Sequence, residues 1–195
     1  MESYTKLKII IFLSILILIF LILKLKDLLT PKEKRFLKAA EDGDFKKIKS
    51  IIDKEVNIKN LIETKDKENN TALILASKFG YIEVVKILIE NGANVNDKDL
   101  QGANALIYGS TFLKWDLSII KLLIDSGIEI NAQDKDGYTA LMEATISGNY
   151  ETVKLLIENG ADINIKNNDG KTALDYAEEN DYKNIIELFK NSIDK

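Results

Sequence analysis

The sequence predicts an all-α fold: a solenoid of stacked helix-turn-helix units, joined by short β-hairpins and preceded by one transmembrane helix. Thr-Ala-Leu recurs at Thr71, Thr139 and Thr172, with Asn104-Ala105-Leu106 as a weaker copy, at offsets of 33, 35 and 33 residues. A period in this range is typical of repeat arrays. Apolar residues at helical spacing follow each copy, and a separate apolar stretch lies near the amino terminus.

A second motif recurs with the same period. Glu90-Asn-Gly-Ala-Asn-Val-Asn96 matches Glu158-Asn-Gly-Ala-Asp-Ile-Asn164, and Asp125-Ser-Gly-Ile-Glu-Ile-Asn131 lies between them. The two motifs together resemble the ankyrin repeat family, although the family's usual Thr-Pro-Leu-His is Thr-Ala-Leu here. The resemblance covers about 155 residues, and it implies a binding module that has no catalysis of its own.

The repeat divides the chain into a membrane anchor and five units. Residues 1–30 form the anchor, 31–65 an amino-terminal capping repeat, 66–98 repeat 2, 99–133 repeat 3 with an insertion, 134–166 repeat 4, and 167–195 a carboxyl-terminal capping repeat. Polar residues at otherwise apolar or glycine positions, such as Lys47 and Asp181, suit terminal units because their outer faces meet water. A longer connection over 53–69 separates the first two units.

Each unit has the same predicted helix signals. Thr71 and Thr139 lie where a hydroxyl can cap a helix, and Gly80 and Gly148 lie in the turn between the two helices. The second helices carry one apolar stripe at i, i+3 and i+4. Its members are Val85, Leu88 and Ile89, then Ile120, Leu123 and Ile124, then Val153, Leu156 and Ile157. We expect neighbouring units to bury these stripes against one another.

The amino-terminal segment predicts a single membrane span. Leu7 to Leu25 is 19 residues long, about 28 Å as a helix against a hydrocarbon core of roughly 30 Å. Lys8 and Lys24 lie near the two interfaces, where lysine side chains can snorkel. The small residues of a signal-peptide cleavage site do not follow Lys24. An uncleaved anchor is therefore favoured over a cleaved signal.

The lysines around this segment favour one orientation. More Lys and Arg residues follow the span than precede it, so the positive-inside rule favours a cytoplasmic repeat domain. The opposite side, periplasmic or extracellular, is the alternative, because large domains translocate largely regardless of charge. The abundance of Lys, Ile and Asn and the single arginine, Arg35, favour an AT-rich, bacterial genome.

Composition excludes several classes of function. The net charge is −4, with +2 in residues 1–30 and therefore −6 in the rest, which argues against nucleic-acid partners. The chain has no histidine and no cysteine, so triads that use histidine and most zinc sites are excluded. The glycines follow the repeat rather than clustering in a phosphate-binding loop. We therefore expect no enzyme, no cofactor and no small-molecule substrate.

One spacing resembles a calcium-binding loop. Asp134, Asp136, Gly137 and Glu143 match four of its positions. The first position is Ala132, however, and Thr139 is predicted to start a helix inside the supposed loop. The repeat accounts for these residues without calcium, and no metal site is predicted.

The ankyrin resemblance implies that partners bind the concave face, formed by hairpin tips and first helices. Carried over by position, the partner-binding residues are Lys67, Glu68, Asn70, Lys78, Phe79, Leu100, Gln101, Phe112, Lys135, Asp136, Tyr138 and Ile146. Trp115, in the insertion of repeat 3, is added to this set as a possible anchor. The alternative for Trp115 is that it packs over Phe112 and Leu117.

The predicted function is a membrane-tethered module that binds another protein. The anchor contacts the lipid bilayer and raises the effective concentration of the module near membrane partners. The alternative is an exported or periplasmic effector or inhibitor whose apolar segment is an export signal.

Overall fold

The computed structural model describes residues 31–111 and 117–193. Within these ranges lie eleven helices and no strand. They are α1 (Lys32–Glu41), α2 (Phe45–Ile52), α3 (Ile58–Ile62), α4 (Ala72–Phe79), α5 (Ile82–Glu90), α6 (Ala105–Gly109), α7 (Ser118–Asp125), α8 (Ala140–Ile146), α9 (Tyr150–Glu158), α10 (Ala173–Glu179) and α11 (Lys183–Ile193). The described part from Phe36 onward belongs to one compact unit.

Side chains cap the first helix of each later pair, as the sequence predicts. The hydroxyls of Thr71 and Thr139 accept the backbone N–H groups of Ile74 and Met142. The side chain of Asn104 caps α6 in the same place, and Thr172 caps α10. These bonds satisfy N–H groups that have no partner within the helix. The recurring Thr-Ala-Leu motif is therefore a helix-start signal.

The first helices form one layer and the second helices another. α4 packs against α6, α6 against α8, and α8 against α10, while α5 packs against both α2 and α7, and α9 against α11. In each predicted stripe the first two residues are buried and the third is half-buried. The core therefore runs continuously between the layers, as the stacking hypothesis requires.

Glycine conformations confirm the predicted turns. Gly80 and Gly148 have φ values of 77° and 67°, in the left-handed region that glycine reaches at little cost. Asn69 and Asp181 take the same conformation, at 65° and 53°, where a glycine is missing from the repeat. Asn69 and Asp181 therefore preserve the backbone path that glycine gives in the other units.

The predicted β-hairpins contain turns but no strands in the described residues. Each tip closes on itself, for example by the backbone N–H of Asp99 donating to the carbonyl of Ala103 at 3.0 Å. An isolated bridge joins Lys65 and Thr71. The prediction of β-hairpins was wrong in this respect, because a tip this short closes without extending into a ladder.

The connection between the first two helix pairs contains an extra helix. α3 buries Leu61 and Ile62, whereas Val56, just before it, is fully exposed. Sequence reasoning identified the longer connection but not this helix.

No helix in the ranges 31–111 and 117–193 is long and apolar enough to cross a membrane. The predicted span at 7–25 lies outside the described residues, and the anchor stays a prediction.

Candidate functional site

The first residue of each hairpin holds the tip in shape. One oxygen of Asp99 accepts the backbone N–H groups of Gln101 and Ala103, at 2.8 and 3.0 Å. Asp66 and Asp134 accept the equivalent pairs of N–H groups in their own hairpins. The amide oxygen of Asn167 does the same in the last hairpin. Each tip is thus fixed by its own side chain.

Adjacent tips are joined by backbone hydrogen bonds. Leu100 N donates to Glu68 O at 2.9 Å and Lys135 N to Gln101 O at 2.8 Å. Asn168 N donates to Asp136 O at 3.0 Å, and its side-chain amide donates to the carbonyl of Lys135 at 2.8 Å. The four tips therefore form a row beside the first helices. We call the tips and the outward side chains of α4, α6, α8 and α10 the hairpin face.

Asparagines join the units at a second place, after the second helices. The side-chain oxygen of Asn96 accepts the backbone N–H of Glu129 at 2.7 Å, and that of Asn131 accepts the N–H of Asp162 at 2.8 Å. Both residues occupy the last position of the second sequence motif. The second sequence motif therefore ends the second helix, and its last residue forms a polar contact with the next unit.

Most of the predicted partner-binding residues are accessible on the hairpin face. The exposed ones are Lys67, Glu68, Phe79, Leu100, Gln101, Lys135 and Asp136, and the half-buried ones are Lys78, Tyr138 and Ile146. Phe79 is 41% and Leu100 49% exposed, a large fraction for apolar side chains. Phe112 and Trp115 lie outside the described residues, so the choice between partner contact and packing for Trp115 stays a prediction.

Asn70 differs from the other predicted residues because it is buried. It is 7% exposed, and its amide donates to Asp66 at 3.0 Å. A side chain that packs inside its own tip offers little surface to a partner. Asn70 was included in the predicted set because of its position in the repeat, and that position alone does not show whether a side chain is buried.

Aromatic rings lie along the hairpin face. The Lys78 ammonium lies 4.7 Å from the centroid of the Tyr108 ring, and that of Lys171 lies 5.4 Å from the Tyr176 ring. The Tyr138 and Tyr176 hydroxyls are 2.8 Å apart. These rings accept cations and hydrogen bonds, which is the chemistry of many protein interfaces.

Sequence reasoning missed Tyr108 and Tyr176. The Tyr108 hydroxyl donates to Asp99 at 2.5 Å, and burial, followed by this hydrogen bond, raises the pKa of Tyr108. The side-chain amide of Asn167 donates to the Tyr176 hydroxyl at 2.8 Å. In both units the tyrosine lies nine residues after the first hairpin residue. Alignment of the repeats by column could have found this pairing.

Repeat 4 breaks the pairing, because Glu143 stands where its neighbours have tyrosine. Glu143 is half-buried. Its pKa is raised, first by burial and then by the negative charge of Asp134. Asp134 and Glu143 also belong to the calcium-like spacing, yet the described residues contain no group of three or more acidic side chains placed to hold a metal ion.

A shallow cleft lies between second helices α2 and α5. It measures about 210 Å³ and is lined by Phe45, Lys49, Glu83, Lys86, Ile87 and Glu90. Pockets that bind drug-sized ligands usually measure about 300–1,000 Å³. Its small volume and its lining of two lysines and two glutamates make this cleft a less suitable ligand site than the hairpin face.

Comparison with known proteins agrees with the repeat geometry. The sequence matches the family described as ankyrin repeats (3 copies) over residues 36–134 and 110–195. It is also 45% identical over 53 residues to an acyl-CoA-binding domain-containing protein 6 homolog from Dictyostelium discoideum. That match covers 27% of this chain and 17% of the relative, and the relative's name describes the whole of that longer protein. Since the family match extends over most of the sequence, the chain belongs to the ankyrin repeat family.

Proposed function

We propose that this chain is a membrane-tethered module that binds another protein through the hairpin face, without catalysis of its own. Ankyrin repeats are typically non-catalytic interaction domains, which supports the class of function. The observation that carries the proposal for this surface is the exposure of Phe79, at the end of α4, and Leu100, in a tip, at 41% and 49%. Exposed apolar side chains beside charged residues are typical of interface anchors.

The division into five units is part of the proposal. The pairs α4–α5, α6–α7, α8–α9 and α10–α11 support units that begin at Asp66, Asp99, Asp134 and Asn167. α1 and α2 support a first unit over 31–65. Five stacked units present four tips in a row, which is enough to contact an extended segment of a partner protein.

Tethering rests on the sequence of residues 7–25, which are apolar apart from Lys8, Ser14 and Lys24. A tether that keeps the module at a bilayer raises its effective concentration toward membrane-associated partners. The second candidate, an exported or periplasmic effector, shares the hairpin face and differs only in the fate of this segment. The mass of the mature amino terminus separates the two, since an anchor retains residues 7–25 and an export signal loses them.

The test of the interaction surface is affinity capture with the full-length protein. The tagged chain is isolated, after crosslinking, from cells that naturally make it, and co-purifying proteins are quantified. A Phe79→Asp, Leu100→Asp double variant should lose the specific partner. Val56→Asp is the matched control, because Val56 is 101% exposed but lies between α2 and α3, outside the row of tips.

The variants must also retain their helical circular dichroism and thermal transition. Equal recovery of the same proteins by the wild type, the double variant and the control would contradict the assignment of the hairpin face.

A further inference from the structure

Two tyrosine rings of adjacent units converge at their hydroxyl groups. Tyr138 precedes α8, and Tyr176 lies in α10. Their hydroxyl oxygens are 2.8 Å apart, whereas the ring centroids are 5.9 Å apart and the ring planes are tilted by 32°. The hydroxyls are thus much closer together than the ring centres. The ring edges that carry the hydroxyls, together with the carbon atoms next to them, therefore approach each other most closely.

This arrangement sets the pair apart from the other tyrosines of known placement. Within 31–111 and 117–193 no other two tyrosine rings are in contact. Tyr81 lies beside Phe79, and the Tyr108 hydroxyl donates to Asp99. A reaction between two phenols of one chain is therefore favoured by the fold at Tyr138 and Tyr176.

Contacts on both sides hold the two rings in place. The backbone N–H of Tyr138 donates to Asp134 at 2.8 Å within its hairpin. The Tyr176 hydroxyl accepts the side-chain amide of Asn167 at 2.8 Å, and the Lys171 ammonium lies 5.4 Å from the centroid of the Tyr176 ring. Groups that are held next to each other in this way react within the pair far more readily than between molecules.

The pair is also accessible to a small oxidant. Tyr138 and Tyr176 are half-buried rather than enclosed in the core. The chain contains no cysteine, and cysteine thiolates are the side chains that oxidants attack readily. Oxidation of the two phenols therefore meets no competition from a thiol of the same chain.

We propose that Tyr138 and Tyr176 are an oxidative crosslinking site, at which a carbon–carbon bond between the two rings fastens the last helix pair to the array. The oxidant is hydrogen peroxide that acts through a haem group. The inference goes beyond the proposed function, since it depends neither on a partner protein nor on the membrane tether.

The reaction removes two electrons and two protons from the pair. Each phenol gives up one electron and its hydroxyl proton, and the two phenoxyl radicals couple at the ring carbons next to the hydroxyls. The hydrogens of these two carbons then move as protons, through solvent, to the two oxygens, which restores both hydroxyls. Hydrogen peroxide takes up the two electrons and two protons that were released, its O–O bond breaks, and two water molecules form.

The bond would stabilise the end of the array. α10 packs against α8, and α11 packs against α9, and in a linear array each unit is stabilised only by its neighbours. A bond between residues 138 and 176 closes a loop, so it restricts the unfolded chain as a disulfide does. The crosslinked protein should therefore unfold at a higher urea concentration than the untreated protein.

The test treats the full-length protein in detergent with hydrogen peroxide and a small haem peptide. Material of single-chain size is isolated, digested and analysed by mass spectrometry and by dityrosine fluorescence. We expect a pair of peptides joined through Tyr138 and Tyr176, with a mass lower than their sum by two hydrogen atoms. The same treatment of the urea-unfolded chain should give about tenfold less of this product, because the rings are then no longer held together.

Two variants and a matched control identify the residues. Tyr138→Phe and Tyr176→Phe should each abolish the product, because phenylalanine keeps the ring but has no phenol to oxidise. Tyr150→Phe is the control, since Tyr150 is another half-buried tyrosine, at the start of α9, and its loss should leave the yield unchanged. Circular dichroism checks that each variant keeps its helices.

Three results would overturn the inference. The first is the absence of a Tyr138–Tyr176 product from the folded wild type. The second is an equal yield from the folded and the unfolded chain, which would show that the fold does not direct the reaction. The third is a crosslinked protein whose urea midpoint equals that of the untreated protein, which would contradict the fastening of the last helix pair.

Discussion

The Tyr138 hydroxyl lies 2.8 Å from the Tyr176 hydroxyl, and their ring centroids are 5.9 Å apart. The contact joins the hairpin before α8 to helix α10. The pKa of Tyr138 is raised to about 12, first by the hydrogen bond with Tyr176 and then by burial. A residue that the sequence predicts to contact a partner thus also holds two units together, so its substitution is expected to affect stability.

Replacement of Tyr138 by phenylalanine should lower the free energy of unfolding by about 0.5–1.5 kcal/mol, since one hydrogen bond is lost while the ring is kept. Urea unfolding of the full-length protein measures the change. Tyr150→Phe is the matched control, because Tyr150 is half-buried and has no hydrogen bond of its hydroxyl among the described residues. Equal losses for the two variants would show that the Tyr138–Tyr176 contact contributes nothing specific.

Gly137→Ala should destabilise the protein more than Gly170→Ala. Both glycines have positive φ, 83° and 77°, so each alanine costs about 1–2 kcal/mol of backbone strain. Only at Gly137 would the added Cβ meet backbone, 2.7 Å from Cα of Asn167. At Gly170 nothing lies within 4 Å. The difference between the two urea midpoints therefore measures how closely adjacent tips pack, and equal midpoints would contradict the observed stacking.

Glu143→Gln should stabilise the protein at about pH 7 and have less effect in acid. The pKa of Glu143 is raised in the folded state. At pH values above its pKa in the unfolded chain, the folded protein therefore keeps Glu143 protonated to a greater extent than the unfolded protein does. The free energy of unfolding then falls as pH rises through that window. Urea midpoints across the pH range measure the effect. Glu151→Gln, at an exposed position in α9, is measured as the control. A destabilised Glu143→Gln at neutral pH would contradict the account of Glu143 as a partly buried carboxylate near Asp134.

Asp175→Asn should have the opposite pH dependence. Hydrogen bonds from the Thr172 backbone and hydroxyl lower the pKa of Asp175. The carboxylate therefore stabilises the folded state above the unfolded pKa, and this contribution is lost as pH falls through the folded one. The variant should lose roughly 1 kcal/mol at neutral pH and approach the wild type in acid. Thr172 and Asp175 form a reciprocal capping box at the start of α10, and a constant difference at every pH would contradict the role of the Asp175 carboxylate in it. Glu187→Gln, at an exposed position, is the control.

Local signals and the repeat period made most of the fold predictable. A threonine before a helix and a glycine after it act through their own backbone, so Thr71, Thr139 and Gly80 could be assigned from the sequence. The helix α3 could not, because its five residues are too short for a periodic pattern. The absence of strands from the predicted hairpins, within the described residues, could not be predicted from the sequence. It depends on how many backbone hydrogen bonds the tips form, and these are too few for a β-ladder.

The candidate site was less predictable than the fold. Phe79 and Leu100 were predicted from their place in the repeat, and both side chains are exposed, while their contact with a partner stays a prediction. Asn70 had an equivalent place but is buried, since its amide turns back to Asp66. The pairing of Asp99 with Tyr108, and its absence between Asp134 and Glu143, depend on contacts between a turn and a helix. Such contacts become visible only when the folded units are compared with one another.

Hydrogen–deuterium exchange of the full-length protein, with and without its captured partner, tests the central claim most directly. Binding at the hairpin face should slow exchange at the tips 66–70, 99–103, 134–138 and 167–171 and in the adjoining first helices, while exchange in α5, α7 and α9 stays unchanged. Protection confined to the second helices, with the tips exchanging as freely as before, would contradict the account.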